Sequence, residues 1–85
     1  SATYLRNPPP AYPAVARRNG EEGTVLLRVL VGRDGTPLKV EVDQSSRSRV
    51  LDEAAMDAVK GWRFVPARRG TETIEAWVRV PVSFR

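Results

Sequence analysis

Apolar and polar residues alternate most regularly at the C-terminal end of the chain. From Glu72 to Phe84 every second residue is apolar, which is the pattern of a strand with one buried face. The apolar positions of this run are Ile74, Ala76, Val78, Val80, Val82 and Phe84. Pro81 also lies in the run, and because a proline has no N–H to donate to a neighbouring strand, it favours the edge of a sheet. We therefore predict a long edge strand over Glu72 to Phe84.

A second alternating stretch, from Thr24 to Val31, is apolar on both of its faces. One face carries Val25, Leu27, Val29 and Val31, and the other carries Leu26 and Leu30. Such a strand is typical of the centre of a sheet. A hairpin signal follows at Gly32 to Gly35, because Asp-Gly supplies residues that accept a positive φ. The return strand is predicted over Pro37 to Gln44. Its inward side chains are Leu38, Val40 and Val42.

Two further segments have the end residues of helices. Pro13 suits the first position of a short helix, and Gly20 favours a stop after it. The second helix is predicted over Val50 to Lys60, with Ser48 as its favoured N-cap. Small residues dominate its apolar stripe, which allows close packing on a sheet. The stripe comprises Leu51, Ala54, Ala55, Ala58 and Val59.

The order of these elements predicts an α+β fold. Trp62 and Phe64 fall on one side of an extended segment after the second helix, and we expect them to close the core. The order is helix, strand, strand, helix, strand, which indicates a three-stranded antiparallel sheet with two helices packed on one face. Because the first strand has the character of a central strand, the last strand should pair with it. The spatial order of the strands is then second, first, third.

The residue types that are absent limit the chemistry. The 85 residues are enough for one small domain, and they include no Cys and no His. This removes thiolate ligands, disulfides and the usual acid–base group at neutral pH. Ser45, Ser46 and Ser48 are interpreted as capping residues rather than nucleophiles, since no Gly-x-Ser-x-Gly elbow is present. We expect no enzymatic activity, no catalytic residue, no cofactor and no metal.

The charge balance favours a solvated basic surface. The formal net charge is +4 and the pI is about 10.3, which raises the prospect of an acidic partner such as nucleic acid. The arginines are scattered, however, and no stacking aromatics interleave them as in a single-strand-binding groove. Asp52, Glu53 and Asp57 could be read as a carboxylate cluster, but the solvated face of the second helix is the favoured interpretation.

The N-terminal segment has a different composition from the remainder. Ser1 to Ala11 is expected to be irregular, because Asn7-Pro8-Pro9-Pro10 favours extended or polyproline geometry. We expect residues 1–11 to be the end of a Pro-rich linker and residues 12–85 to be the folded domain. The chain starts at Ser1 rather than at Met, so we expect it to be a fragment of a longer protein.

Several short motifs follow one another in order from about Asn7 to Phe84. They are Tyr12-Pro13, Gly23-Thr24-Val25, Asp34-Gly35, Ser45-Ser46, Leu51-Asp52-x-Ala54-Ala55, Trp62-x-Phe64-x-Pro66 and Val80-Pro81-Val82-x-Phe84. No single motif is specific, but the ordered set resembles the C-terminal domain of TonB proteins. The chain departs from the best-known members at Asn7 to Ala11, where those members carry a Gln-Pro-rich version.

The resemblance implies a role in the envelope of a Gram-negative bacterium. TonB-like proteins are anchored in the inner membrane by an N-terminal helix and cross the periplasm on a Pro-rich spacer. Their C-terminal domain lies in the periplasm and binds the TonB box of outer-membrane TonB-dependent transporters. Proton-motive force, transmitted by ExbB and ExbD, then drives the uptake of siderophores, iron complexes and similar nutrients. ExbB and ExbD would act through the N-terminal part that this chain lacks.

The resemblance also implies where the partner binds. The TonB box adds as a strand to the last strand of the sheet. The positions that correspond in this chain are Glu75, Ala76, Trp77, Val78 and Arg79. Additional receptor contacts would come from Asn7, Pro8, Pro9, Pro10 and Tyr12.

Pro81 sharpens the expected binding edge. In a strand, alternate residues point their backbone N–H and C=O groups to opposite edges. Since Pro81 has no N–H, the edge that it faces should be the open one. Backbone groups of the same parity, such as those of Trp77 and Arg79, would then receive the peptide, whereas Val78 and Val80 would pair with the first strand.

Three other roles fit parts of the sequence. Two open edges from different copies could pair with each other, which would give a homodimer of this fragment. A related envelope-spanning adaptor of the TolA-like kind could have the same fold and a different partner. The basic pI leaves a nucleic-acid-binding module as the weakest alternative, and we expect no nucleic acid among the partners.

Overall fold

A computed structural model describes residues 4–85 of the chain, and the side chains of residues 7–85. The elements within this range run in the following order. They are β1 (Tyr4–Arg6), α1 (Ala14–Arg18), β2 (Gly23–Val31), β3 (Pro37–Gln44), α2 (Arg49–Lys60), β4 (Arg63–Phe64), β5 (Ala67–Arg69), β6 (Glu72–Ile74) and β7 (Ala76–Phe84). The predicted order of the principal elements, helix, strand, strand, helix, strand, is confirmed.

The main sheet has the predicted strand order. It is antiparallel, with β2 in the centre between β3 and β7. The pairing of β2 with β7 continues without a bulge from Gly23 opposite Phe84 to Val31 opposite Ala76. The pairing of β2 with β3 shifts register twice, after Leu26 and after Leu30. The long, unbroken ladder therefore lies on the β7 side.

The core lies on one face of this sheet, where α2 and the segment after it pack. The predicted inward face of β2 is fully covered, and the predicted core aromatics Trp62 and Phe64 are buried. The buried apolar residues are Ala16, Val25, Leu27, Val29, Val31, Leu51, Ala55, Val59, Trp62, Phe64, Val80, Val82 and Phe84. They form one cluster, as expected for a domain with one layer of helices on one sheet.

Both helices end as their sequences indicate, with one difference of position. Ser48 Oγ accepts a hydrogen bond from the Leu51 N–H at 3.2 Å, which confirms it as the N-cap of α2. Gly20 follows α1 with a φ of 67° and donates its N–H to the Arg17 carbonyl, which is typical of a C-terminal glycine stop. Pro13 occupies the N-cap position of α1 rather than the first helical position.

The predicted strand from Glu72 to Phe84 is divided at Glu75, which belongs to neither β6 nor β7. The predicted continuous strand is therefore wrong in its first residues. Because β2 ends at Val31, opposite Ala76, the main sheet offers no partner to the residues before Ala76. β6 pairs instead with β5, in a small hairpin closed at Gly70, whose φ is 64°.

The N-terminal segment is more ordered than its composition predicts. Tyr4–Arg6 forms a short strand that pairs with β4, so the expectation of an irregular lead-in is wrong for these residues, and residues 1–3 lie outside the described range. Trp62 Nε1 donates a hydrogen bond to the Pro8 carbonyl at 2.9 Å. A distant tertiary contact, which no local pattern contains, thus holds the lead-in against the domain.

The inward face of β3 is less buried than predicted. Val40 is half-buried against the core, but Leu38 is 51% and Val42 is 37% exposed. Because β3 is the outer strand of the sheet on that side, the helices cover its inner face only in part.

Candidate peptide-binding edge

The outer edge of β7 is open within the described part of the chain. β2 is its hydrogen-bonded neighbour on one side, and no strand of residues 4–85 pairs with the other side. Pro81 lies opposite Leu26 and has no N–H for a ladder bond. Since the register between β2 and β7 has no bulge, the parity that Pro81 sets applies along the whole strand. By this parity, the backbone groups of Trp77 and Arg79 face the open edge.

The structure places four of the five predicted peptide-binding residues on β7 itself. Ala76 and Val78 are half-buried on the helix-covered face, whereas Trp77 and Arg79 are exposed on the other face. This alternation of side chains confirms the face assignment made from the sequence. Glu75 is exposed and lies just before the strand, at the break between β6 and β7.

Charged residues of β2 and β3 hold the side chains on the open face of the sheet. The Arg28 guanidinium lies 4.6 Å from the centroid of the Trp77 ring, and its Nη2 is 2.8 Å from Glu41 Oε1. Arg79 Nε lies 3.8 Å from Asp43 Oδ2. Exposed ion pairs contribute only about 0–1 kcal/mol each, so these contacts orient Trp77 and Arg79 more than they stabilise the fold.

Sequence reasoning missed these supporting residues. The signal lay in the cross-strand register, because Arg28 pairs with Glu41 on one side and with Arg79 on the other. Facing positions on neighbouring strands bring side chains together, but the register shifts between β2 and β3 cannot be read from the hydrophobic pattern.

The lead-in residues predicted as additional contacts pack along the helix side of the domain. Pro8, Pro9 and Pro10 line a cavity of about 420 Å³ against α2, together with Ala11, Ala54, Asp57 and Ala58. Asn7 is half-buried beside them. Pro8 and Pro9 remain exposed, so they are accessible to a partner while the Pro8 carbonyl is bonded to Trp62.

Tyr12 has three contacts inside the domain. Its ring stands perpendicular to that of Phe84, with 5.5 Å between the centroids, and Arg17 lies 4.5 Å from its centroid. Its hydroxyl donates a hydrogen bond to the Glu21 carbonyl. Phe84 ends β7, and six residues of strand separate it from Val78, a distance of about 20 Å. The structure therefore does not bring Tyr12 and the residues near Val78 into one patch.

A second cavity of about 220 Å³ lies on the helix-covered face where β7 begins. Its lining consists of Val31, Phe64, Val65, Pro66, Ala67, Ala76 and Val78. We name it the inner pocket. The segment from Val65 to Ala67 forms one wall by passing back over the start of β7, and this fold-back gave no local signal in the sequence.

Asp52 is not the solvated carboxylate that the sequence indicated. Its Oδ1 accepts hydrogen bonds from the N–H and the hydroxyl of Ser46, at 3.0 and 2.7 Å, and its Oδ2 accepts one from the Ser45 hydroxyl. Burial alone would raise the pKa of Asp52, but these hydrogen bonds outweigh it, and the pKa is lowered. Asp52 therefore fixes the loop before α2.

The other two helix carboxylates are exposed, as predicted. Glu53 and Asp57 lie 3.9 Å from Arg49 and Lys60 respectively. In residues 7–85 no three acidic, His or Cys side chains are grouped so that they could hold a metal ion. The described helices include none that is long and apolar enough to cross a membrane.

Comparison with known proteins identifies the family. The family model for the Gram-negative bacterial TonB protein C-terminal region matches residues 8–85. The chain belongs to the TonB C-terminal domain family. Protein tonB2 of Pseudomonas aeruginosa is 53% identical over 85 residues, which are the whole chain and 32% of that protein. Protein TonB of Xanthomonas campestris is 45% identical over 76 residues, which cover 89% of this chain and 34% of that protein.

A solved structure confirms the TonB-family fold. The solution NMR structure of the Pseudomonas aeruginosa TonB CTD matches with a TM-score of 0.79 and 30% identity, and the match covers 99% of this chain and 85% of that one. The chain spans about a third of the length of the curated TonB relatives described above.

Proposed function

We propose that this TonB-family domain binds the TonB box of outer-membrane TonB-dependent transporters by strand addition to the outer edge of β7. The observation that carries the proposal is an open, nine-residue edge strand whose partner ladder has no bulge. An exposed edge of this kind is a template for an added strand. Membership of the TonB family supports the identity of the partner.

The edge offers sequence-tolerant binding. Trp77 and Arg79 each direct one N–H and one C=O outward, by the parity that Pro81 sets. Each main-chain hydrogen bond contributes about 0.5–1.5 kcal/mol net, and none of them reads a side chain. This tolerance suits one adaptor that serves several transporters. A peptide pulled along its own axis loads all of these bonds together, which suits the transmission of force.

The remaining parts of the proposal concern the longer protein. The domain would lie in the periplasm, with residues 1–11 as the end of a Pro-rich linker that leads back to an inner-membrane anchor. Proton-motive force would reach it through ExbB and ExbD and would drive the uptake of siderophores, iron complexes and similar nutrients. The domain would act by binding, without catalysis or a cofactor. Pro8 and Pro9, exposed on the lead-in, would add contacts with the transporter, together with Asn7, Pro10 and Tyr12.

A peptide titration tests the binding edge. We would titrate the ¹⁵N-labelled domain with a synthetic peptide that carries a TonB box of a Pseudomonas aeruginosa transporter, since a 53% identical relative comes from that organism. We expect the largest amide shifts at Ala76 to Arg79. Shifts confined to α2, with none along β7, would contradict strand addition. A scrambled peptide of the same composition is the control.

A further inference from the structure

We propose that the inner pocket receives one apolar side chain of the peptide that adds to β7. This inference rests on the proposed function, and it adds a specificity determinant to an edge whose main-chain bonds read no sequence. The ligand class is an extended peptide with a branched aliphatic or aromatic residue opposite Ala76 to Val78 and polar residues on either side of it.

The position of the inner pocket points to this occupant. Its lining comes from the start of β7, from Val31 of the neighbouring strand and from the Phe64 to Ala67 segment, and none of it comes from β3 or α2. The pocket therefore lies on the β7 side of the sheet, beside the open edge. Val65, on its wall, is 45% exposed, so an apolar surface at the pocket reaches solvent.

Strand geometry directs alternate peptide side chains to this face. Residues directly opposite each other on neighbouring strands point their side chains to the same face of the sheet. A peptide residue opposite Ala76 or Val78 therefore points to the helix-covered face, where the pocket lies. A peptide residue opposite Trp77 points to the other face, which carries Arg28 and Arg79. The two faces thus differ in the residues that they accept.

The size of the pocket fits a bulky side chain. Its volume is about 220 Å³, several times the roughly 30 Å³ that one water molecule occupies in the liquid. All seven lining residues are apolar. A branched or aromatic side chain would exchange water contact for contact with Phe64 and Val65, whereas alanine would leave most of the volume unfilled.

The first test varies the peptide. In the TonB-box peptide of the titration, each position in turn is replaced by leucine and by alanine, and the affinity of each peptide is measured by NMR. We expect one position on the helix-covered face to prefer leucine over alanine by about tenfold or more, and its two neighbours to show less than about threefold preference. Equal preference at all positions would overturn the inference.

The second test fills the pocket. Ala67→Leu places extra side-chain volume inside it, and Ala14→Leu, at an exposed position of α1, is the matched control. We expect Ala67→Leu to bind the leucine and alanine peptides within about threefold of each other, because the leucine has lost its site. Ala14→Leu should keep the preference of the unsubstituted domain. Retention of the preference in Ala67→Leu would overturn the inference.

A direct measurement covers the case in which Ala67→Leu fails to fold. In the unsubstituted domain, nuclear Overhauser contacts between the leucine methyls of the peptide and the Phe64 ring are expected, and their absence in the bound state would overturn the inference. Failure of the pocket and failure of the proposed function are distinguishable. If the pocket alone is wrong, the amides of Ala76 to Arg79 still shift on peptide addition, whereas no shift along β7 would contradict both.

Discussion

At the scale of single residues, Gly35 is the position with the least freedom to change. It has a φ of 86°, and a Cβ built on it would lie 2.2 Å from the Phe64 carbonyl oxygen. Phe64 in turn donates its N–H to the Gly35 carbonyl at 2.9 Å. The hairpin turn between β2 and β3 is thereby joined to β4, and Phe64 is held in the core where it also forms a wall of the inner pocket.

We expect Gly35→Ala to destabilise the domain by roughly 2–4 kcal/mol, because the backbone conformation and the clash both oppose the methyl group. Gly70→Ala is the matched control, since Gly70 also has a positive φ, 64°, but its Cβ would meet no atom within 4 Å. It should cost only about 1–2 kcal/mol. Urea unfolding of both variants measures the difference, and equal losses would argue against the contact with Phe64.

At the scale of elements, the sequence predicted what depends on a local period and missed what depends on a distant partner. The alternation from Ile74 to Phe84 placed every side chain of β7 on its correct face, because a strand has a fixed period of two. It could not show the break at Glu75, which follows from where β2 ends. The pairing of Tyr4–Arg6 with β4 and the inner pocket also need a tertiary contact, and no hydrophobic pattern encodes one.

Proline substitutions at two neighbouring positions of β7 test the parity on which the candidate site rests. Val78→Pro would remove an N–H that bonds to β2 and would leave an acceptor unpaired, at a cost of about 2–4 kcal/mol. Arg79→Pro would remove an N–H at the open edge, where Pro81 is already accommodated, and should cost about 1 kcal/mol or less.

The two variants should therefore differ in opposite ways in folding and in binding. Arg79→Pro should remain folded and bind the TonB-box peptide at least about tenfold more weakly, because one edge donor is lost and the ring blocks the approach. Thermal unfolding and the NMR titration provide the two measurements. If Val78→Pro were the milder change, the backbone parity along β7 would be reversed, and Ala76 and Val78 would present the edge.

At the scale of the whole molecule, the two edges of the sheet are unequal. The edge strand β3 joins β2 through a ladder with two register shifts, and its outward residues include the charged Lys39, Glu41 and Asp43. β7 is nine residues long and joins β2 without a shift. Since long, regular edges pair most readily with another chain, β7 is the edge expected to pair both with a peptide and with a second copy of the domain.

We therefore expect self-association of the fragment at high concentration to compete with peptide binding. Sedimentation velocity over a concentration series should show a dimer fraction that saturating TonB-box peptide removes, because both partners need the same backbone groups of β7. Arg79→Pro should weaken self-association as well as peptide binding, since one substitution acts on the shared edge. A dimer that persists with peptide bound would place the contact between copies on another surface, and the exposed Leu38 and Val42 of β3 would then be the residues to replace.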